Sequence, residues 1–225
     1  MYENIFTYNF ISNFFFSLLF LIINIFFSII VANNSRIKKI FFFKEFQPII
    51  VFYLIFCIYI FFFNLTIIFN YKLISEIFFI IFFLQIIFVF FNIKDYKFFY
   101  NFGSKIDEIF ILLVFFSLFL ISLLPISDAD SIAYISSLPA TIFNEGLKEI
   151  NLNQNLEFTL LSNTEVILLI SSILKSDNFG SQLNFITLFF FIIINFKTHK
   201  NFSLIIFSSP LIIYFISAQK LQLFF

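Results

Sequence analysis

The chain has 225 residues, of which 61% are hydrophobic and only 12% charged. Soluble domains carry about 25% charged residues, so half the usual polar coat is missing and a water-soluble domain is excluded. Thirteen Lys and Arg balance thirteen Asp and Glu, so no basic field argues for nucleic acid as a partner.

A helix needs roughly 20 apolar residues to cross a bilayer, because lipid offers exposed backbone groups no partner. Phe10–Ala32 is the first such run, interrupted only by Asn13, Asn24 and serines. Pro48–Phe69 is the second, with Pro48 suited to a first helical turn. Cys57 lies inside it and reads as a small buried hydrophobe with no partner for an internal disulfide. Ser75–Phe91 is a third, slightly short run. Ile109–Ile126 is the fourth, with Asp107 and Glu108 before it and Pro125 near its end. Segment Ser127–Asp177 is too polar for one span, although Thr164–Leu174 within it is apolar and helical in pattern. Asn178–Phe196 and Phe202–Ser217 complete six spans. The expected fold class is therefore all-α, a polytopic helical bundle. It divides into a four-helix region at 1–126, an external acidic loop at 127–177 and two further helices at 178–225.

Basic residues set the orientation. Arg36, Lys38, Lys39, Lys44, Lys94, Lys97, Lys105, Lys197 and Lys200 fall on one side, and Lys72, Lys148, Lys175 and Lys220 on the other. This places the N-terminus and the 127–177 loop outside an inner (plasma) membrane. It requires Thr164–Leu174 to lie at the interface or dip into the membrane without crossing. Apart from Glu76 at the edge of the third run, the spans carry no Asp, Glu, Lys or Arg, which argues against an ion-coupled transporter. The sequence stops at QKLQLFF directly after a membrane run, from which we expect an N-terminal piece of a longer chain.

One segment departs from the Phe- and Ile-rich background. Residues 125–146 read PISDADSIAYISSLPATIFNEG and gather two of four Pro, one of three Gly and three of five Ala. The wider loop holds Asp128, Asp130, Glu145, Glu149, Glu157, Glu165 and Asp177, seven of the thirteen acids. Pro125 favours ending the fourth helix, and Asp128 or Asp130 can cap a new one. Ile132, Ile135, Leu138 and Ile142 then share a stripe, Gly146 supplies the stop, and Pro139 should kink the helix. The spacing predicts an amphipathic helix over Ser131–Glu145, lying flat on the membrane face. Each acid also has a plainer role. Asp130 can be only an N-cap, Asp128 a solvated charge, Tyr134 an interfacial anchor and Glu165 a complement to a helix dipole. No His/Cys metal cluster, phosphate loop or Ser/His/Asp arrangement is visible.

In these residues the stretch Pro125–Phe196 resembles the first external region of C-type membrane glycosyltransferases, the superfamily of protein O-mannosyltransferases and the lipid A aminoarabinose transferase. Members carry an acidic motif after a membrane helix, with Tyr four residues beyond an Asp. Asp128, Asp130, Ser131, Tyr134, Leu138, Pro139 and Gly146 fit that order, while Ile135 stands where relatives often have His. The resemblance implies a transferase moving a sugar from a polyprenyl-phosphate donor on the outer face of the bilayer. It implies Asp130 as general base, as the residue orienting the acceptor, or as a ligand of a divalent metal together with Asp128. Asp128, Tyr134 and Glu165 would line the substrate site. The competing classes are a non-catalytic polytopic component, such as a polymerase partner, flippase subunit or transporter, and an inactive fragment.

Overall fold

The computed structural model describes residues 8–34, 47–92, 105–123, 137–146 and 163–196. They form seven α-helices: α1 (Tyr8–Asn33), α2 (Gln47–Phe69), α3 (Ile74–Asn92), α4 (Lys105–Ser122), α5 (Ser137–Glu145), α6 (Asn163–Leu174) and α7 (Phe179–Phe196). No strand occurs among the described residues. The first three helices are long and apolar enough to cross a membrane, while α4 and α7 hold shorter apolar stretches, Ile109–Ser122 and Phe179–Ile192. This is a membrane protein by the length and composition of those helices. The sixth expected span, Phe202–Ser217, lies outside the described residues, as do most of the basic residues that set the orientation.

The helices α1 to α3 are apolar on every side, so hydrophobicity cannot choose which face turns inward. Polar side chains and close ring packing make that choice. Phe20 of α1 is fully buried. Its ring meets Phe56 and Tyr59 of α2, Phe78 and Phe82 of α3, and Phe179 of α7, with centroids 5.2 to 6.3 Å apart. Edge-on and tilted contacts of this kind add to dispersion because ring edges are positive and faces negative. Beside this cluster, Tyr59 Oη donates to Gln85 Oε1 at 3.0 Å, joining α2 to α3 across the core.

The outward faces are apolar as well. Phe83 and Leu84 of α3 and Leu112 and Leu113 of α4 are each about 60% exposed, at 62%, 60%, 65% and 62%. Such a surface suits hydrocarbon and not water. Cys57 belongs to this outer surface, which corrects the expectation that protein would bury it. It sits next to exposed Ile58, on the face that also carries Leu54 and Phe61.

One hairpin and one pair of sequence-distant helices fix the helix directions. The α2–α3 hairpin turns through Asn70 and a single 3₁₀ turn, Tyr71–Leu73; the Asn70 side chain accepts from the Lys72 N–H at 3.3 Å. Along the second pair, Phe115 meets Phe189 and Phe119 meets Phe185, and Asn178 Nδ2 donates to the Ser122 carbonyl at 2.9 Å. Helices α4 and α7 therefore run in opposite senses. Phe16 with Phe82 and Phe27 with Phe88 show α1 and α3 running in the same sense.

Boundaries shift for identifiable reasons. Helix α4 is described from Lys105, so Asp107 and Glu108, expected to precede it, fall within its range. It ends at Ser122, ahead of the restriction that Pro125 places on the residue before it. Of the external helix expected over Ser131–Glu145, Ser137–Glu145 is described and helical, while residues 131–136 lie outside the described residues. Pro139 lies within the described part of that helix, and the residues before Ser137 lie outside the described residues.

Candidate functional site

The described part of the segment singled out by composition forms α5, and the wider loop also supplies α6. Helix α5 ends as expected at Gly146, whose φ of +76° and N–H to the Ile142 carbonyl, 3.0 Å, make an αL cap. This glycine is needed twice over. A Cβ at this position would lie 2.5 Å from Tyr71 Cδ1, so the bare backbone lets α5 rest on the 3₁₀ turn of the α2–α3 hairpin. Gly146→Ala is expected to destabilise by roughly 2 kcal/mol, from αL strain plus overpacking. Thermal unfolding in detergent checks this: Tyr71→Ala added to Gly146→Ala should recover the clash and leave about 1 kcal/mol of strain. No recovery would rule out the ring contact as a cause.

Helix α6 packs against α5 on one side and against α1, α2 and α7 on the others. Val166, Ile167, Leu168, Leu169 and Ile170 are successive residues, each no more than 1% exposed. An interfacial helix would leave one flank to lipid; over these five residues protein encloses the helix all round. The expected apolar stretch is present, but its burial is internal.

The α6–α7 turn is bonded at every step. Lys175 has a φ of 52°, its N–H points to the Ser172 carbonyl at 3.4 Å, and the Ser176 N–H donates to the Ser171 carbonyl at 3.0 Å. That is a Schellman motif with Lys at the position glycine normally takes. Asn178 then opens α7, its carbonyl accepting from the Gln182 N–H at 2.9 Å. Side chains tie the turn to α1. Ser17 Oγ is shared among three partners: the Phe14 carbonyl at 2.9 Å and Gln182 Oε1 as acceptors of its one proton, and Ser176 Oγ at 2.9 Å; Gln182 Nε2 donates to the Phe14 carbonyl at 3.1 Å. All three side chains are buried, so each bond replaces one that water cannot supply. Sequence reasoning passed over Gln182, Ser17 and Asn178. Their signal was a polar atom within an otherwise continuous apolar run.

Between α5 and the C-terminal end of α6 lies a cleft of about 280 Å³. Ala140, Phe143 and Asn144 line one wall, Ser171 and Ser172 the other, and Lys175 and Asp177 stand at the turn. Lys175 and Asp177 are exposed and Asn144 is exposed beside them. Lys175 makes no ion pair among the described residues. Relief of its αL backbone by Lys175→Gly is expected to stabilise the fold by about 1 kcal/mol, read as a raised melting temperature. An unchanged or lowered melting temperature would mean that the lysine side chain supports the fold in another way.

Of the site residues expected from sequence, Asp128, Asp130 and Tyr134 lie outside the described residues. Glu165 falls within α6. Among the described residues no three His, Cys, Asp or Glu side chains converge as metal ligands, and the two candidate ligands Asp128 and Asp130 are not among them. No family model, curated protein or solved structure matches the chain.

Proposed function

We propose that this protein is a membrane glycosyltransferase of the C type, or the N-terminal part of one, that moves a sugar from a polyprenyl-phosphate carrier to an acceptor hydroxyl outside the inner membrane. The observation that carries the reading is the ordered set Asp128, Asp130, Ser131, Tyr134, Leu138, Pro139 and Gly146, directly after a membrane helix. Two features support it. Gly146 ends a short helix against the bundle, and a cleft with Ser171, Ser172, Lys175 and Asp177 in its lining opens beside that helix. The opposite senses of α4 and α7 and the shared sense of α1 and α3 agree with alternating crossings. In this topology α1 to α4, α7 and Phe202–Ser217 cross, and the N-terminus and residues 127–177 face outward.

The chemistry follows from the donor. Asp130 takes the proton of the acceptor hydroxyl as its oxygen forms a bond to the anomeric carbon. The bond from that carbon to the lipid phosphate oxygen breaks, and the phosphate leaves with the electron pair. A divalent metal held by Asp128 and Asp130 would supply charge for the leaving phosphate. Tyr134 and Glu165 would orient substrate.

The test is transfer of radiolabelled sugar from a polyprenyl-phosphate pool in membranes expressing the complete reading frame, with and without Asp130→Asn. Loss of transfer at unchanged expression supports the assignment. Equal transfer by both removes Asp130 from the chemistry, and no transfer by either favours a non-catalytic membrane component.

A further inference from the structure

Two hydroxyls of α7 are buried without use. Ser181 is fully buried and Thr187 is 6% exposed, yet neither Ser181 Oγ nor Thr187 Oγ1 has a hydrogen-bond partner among the described residues. Other helical hydroxyls of this chain return their proton to their own helix. Ser28 donates to the Ile25 carbonyl, Thr66 to the Phe63 carbonyl and Ser122 to the Phe119 carbonyl. A buried hydroxyl left unbonded is costly, so the two on α7 call for a polar partner from elsewhere. Their face of the helix is defined. Phe185 and Phe189 meet α4, Phe179 and Gln182 meet α1, and Phe190 meets α2. At about 100° per residue these contacts fall within an arc of about 140°. Ser181, Asn184 and Thr187 lie on the remaining face, turned away from α1, α2 and α4. Helix α6 offers that face only apolar side chains along its buried run, Val166–Ile170.

The chain itself holds a segment whose polar residues match. The sixth expected span reads FSLIIFSSPLIIYFIS over Phe202–Ser217. Five residues, 197–201, separate it from the end of α7, and so short a link makes two helices antiparallel neighbours. In such a hairpin, residues equally far from the link share a level. Ser181 lies 15 residues before Phe196 and Ser217 lies 15 after Phe202; for Asn184 and Tyr214 the count is 12 on each side. Pro210, Tyr214 and Ser217 stand four and three residues apart, on one stripe of the span. Pro210 also has no N–H, which leaves the Ile206 carbonyl without its helical donor. A spanning helix must find that carbonyl another donor, and the Thr187 hydroxyl falls within about one turn of it.

We propose that the Ser181, Asn184 and Thr187 face of α7 is the docking surface for Phe202–Ser217 of the same chain. The Ser217 and Ser181 hydroxyls bond to each other, the Tyr214 ring end lies against Asn184, and Thr187 donates to the Ile206 carbonyl. In lipid, where apolar surface gives two helices no reason to prefer each other over acyl chains, these polar contacts select the face and the register. The inference rests on the topology in which Phe202–Ser217 crosses the membrane, and it is independent of whether the protein transfers sugar.

The experiment is cysteine cross-linking of the full chain in membranes. Cys57, the one cysteine of the sequence, is first changed to alanine; it is exposed and outside the contact. Under a mild oxidant, Ser181→Cys with Ser217→Cys is expected to form a disulfide within one chain, at least about fivefold more than Ser181→Cys with Phe215→Cys, which sits on the opposite face of the span. The hydrogen bond has its own readout. Ser181→Ala and Ser217→Ala should each lower the melting temperature, and the double variant should fall no further than the lower of the two. Labelling of Lys220→Cys by an impermeant maleimide from outside reports the crossing separately. Outside labelling with no cross-link would leave the crossing intact and overturn the docking. Absence of outside labelling would overturn both. Cross-links between two chains would hand the face to a second copy, and a raised or unchanged melting temperature in Ser181→Ala would remove the hydrogen bond; either outcome overturns the proposal.

Discussion

Asp130→Asn is expected to lower sugar transfer by about 10²- to 10⁴-fold, the usual contribution of a positioned base. Asparagine keeps the shape of aspartate and can still accept a hydrogen bond, so an effect of this size would report the lost proton acceptor. The three roles open to Asp130 separate under one assay. As a base, its loss lowers turnover at every metal concentration and leaves acceptor affinity nearly unchanged. As a metal ligand, its loss should be partly rescued by excess divalent metal, and Asp128→Asn should behave alike. As an orienting residue, its loss should raise the acceptor KM with a small change in kcat. Asp128→Asn with full activity would leave Asp128 as the solvated charge that its sequence context also allows. A change of less than tenfold in Asp130→Asn would remove the catalytic base from the proposed mechanism.

Helix existence was easy to read in this chain and helix facing was not, for one physical reason. A run such as Phe10–Ala32 must be helical in lipid because nothing else satisfies its backbone, and α1, α2 and α3 fall within two residues of the expected runs. With apolar residues all round, however, no amphipathic stripe marks the inner side. The inner side is marked by the polar exceptions. Ser17, Asn24 and Ser28 of α1 and Gln85 of α3 are all buried. Asn24 is fully buried and donates to the Phe20 carbonyl at 2.8 Å; Ser28 donates to the Ile25 carbonyl at 2.7 Å. Both return part of their polarity to their own helix, which lets a polar residue face a packed core.

The external segment divides in the same way. Gly146 was legible because helix stops favour glycine, and the αL cap bears this out. The enclosure of α6 was not legible, since an apolar stretch of 12 residues looks the same whether lipid or protein covers it. Lys175 in the left-handed region was also invisible, because lysine is not a residue that predicts it. Charge bias over a loop could suggest an acidic surface, but not which acids share a cleft. The one acid among the described residues that lines it, Asp177, was counted with the others and given no role.

Phe20→Ala is expected to produce the largest loss of stability of any single truncation in α1. Phe20 is fully buried and its ring touches α2, α3 and α7 together. In water-soluble cores such a change costs about 3–5 kcal/mol, combining lost transfer energy with the cavity left behind. Here the transfer part shrinks, because the unpacked helix would hold its phenyl ring in lipid and not in water. The cavity part remains, because neighbouring rings lose their dispersion partners on one side. At about 24 cal/mol per Å³, the ~100 Å³ vacated gives roughly 2.4 kcal/mol. Phe83→Ala is the control: its side chain is 62% exposed, and its loss should change stability by no more than about 0.5 kcal/mol. Unfolding titrations in mixed micelles would measure both. A double-mutant cycle of Phe20→Ala with Phe179→Ala should show coupling of about 0.5–1.5 kcal/mol, since their rings lie 6.1 Å apart. Equal effects of Phe20→Ala and Phe83→Ala would mean that the ring cluster does not hold α7 against α1. In that case the hydrogen-bonded chain through Ser17 and Gln182 would be left as the principal tie between them.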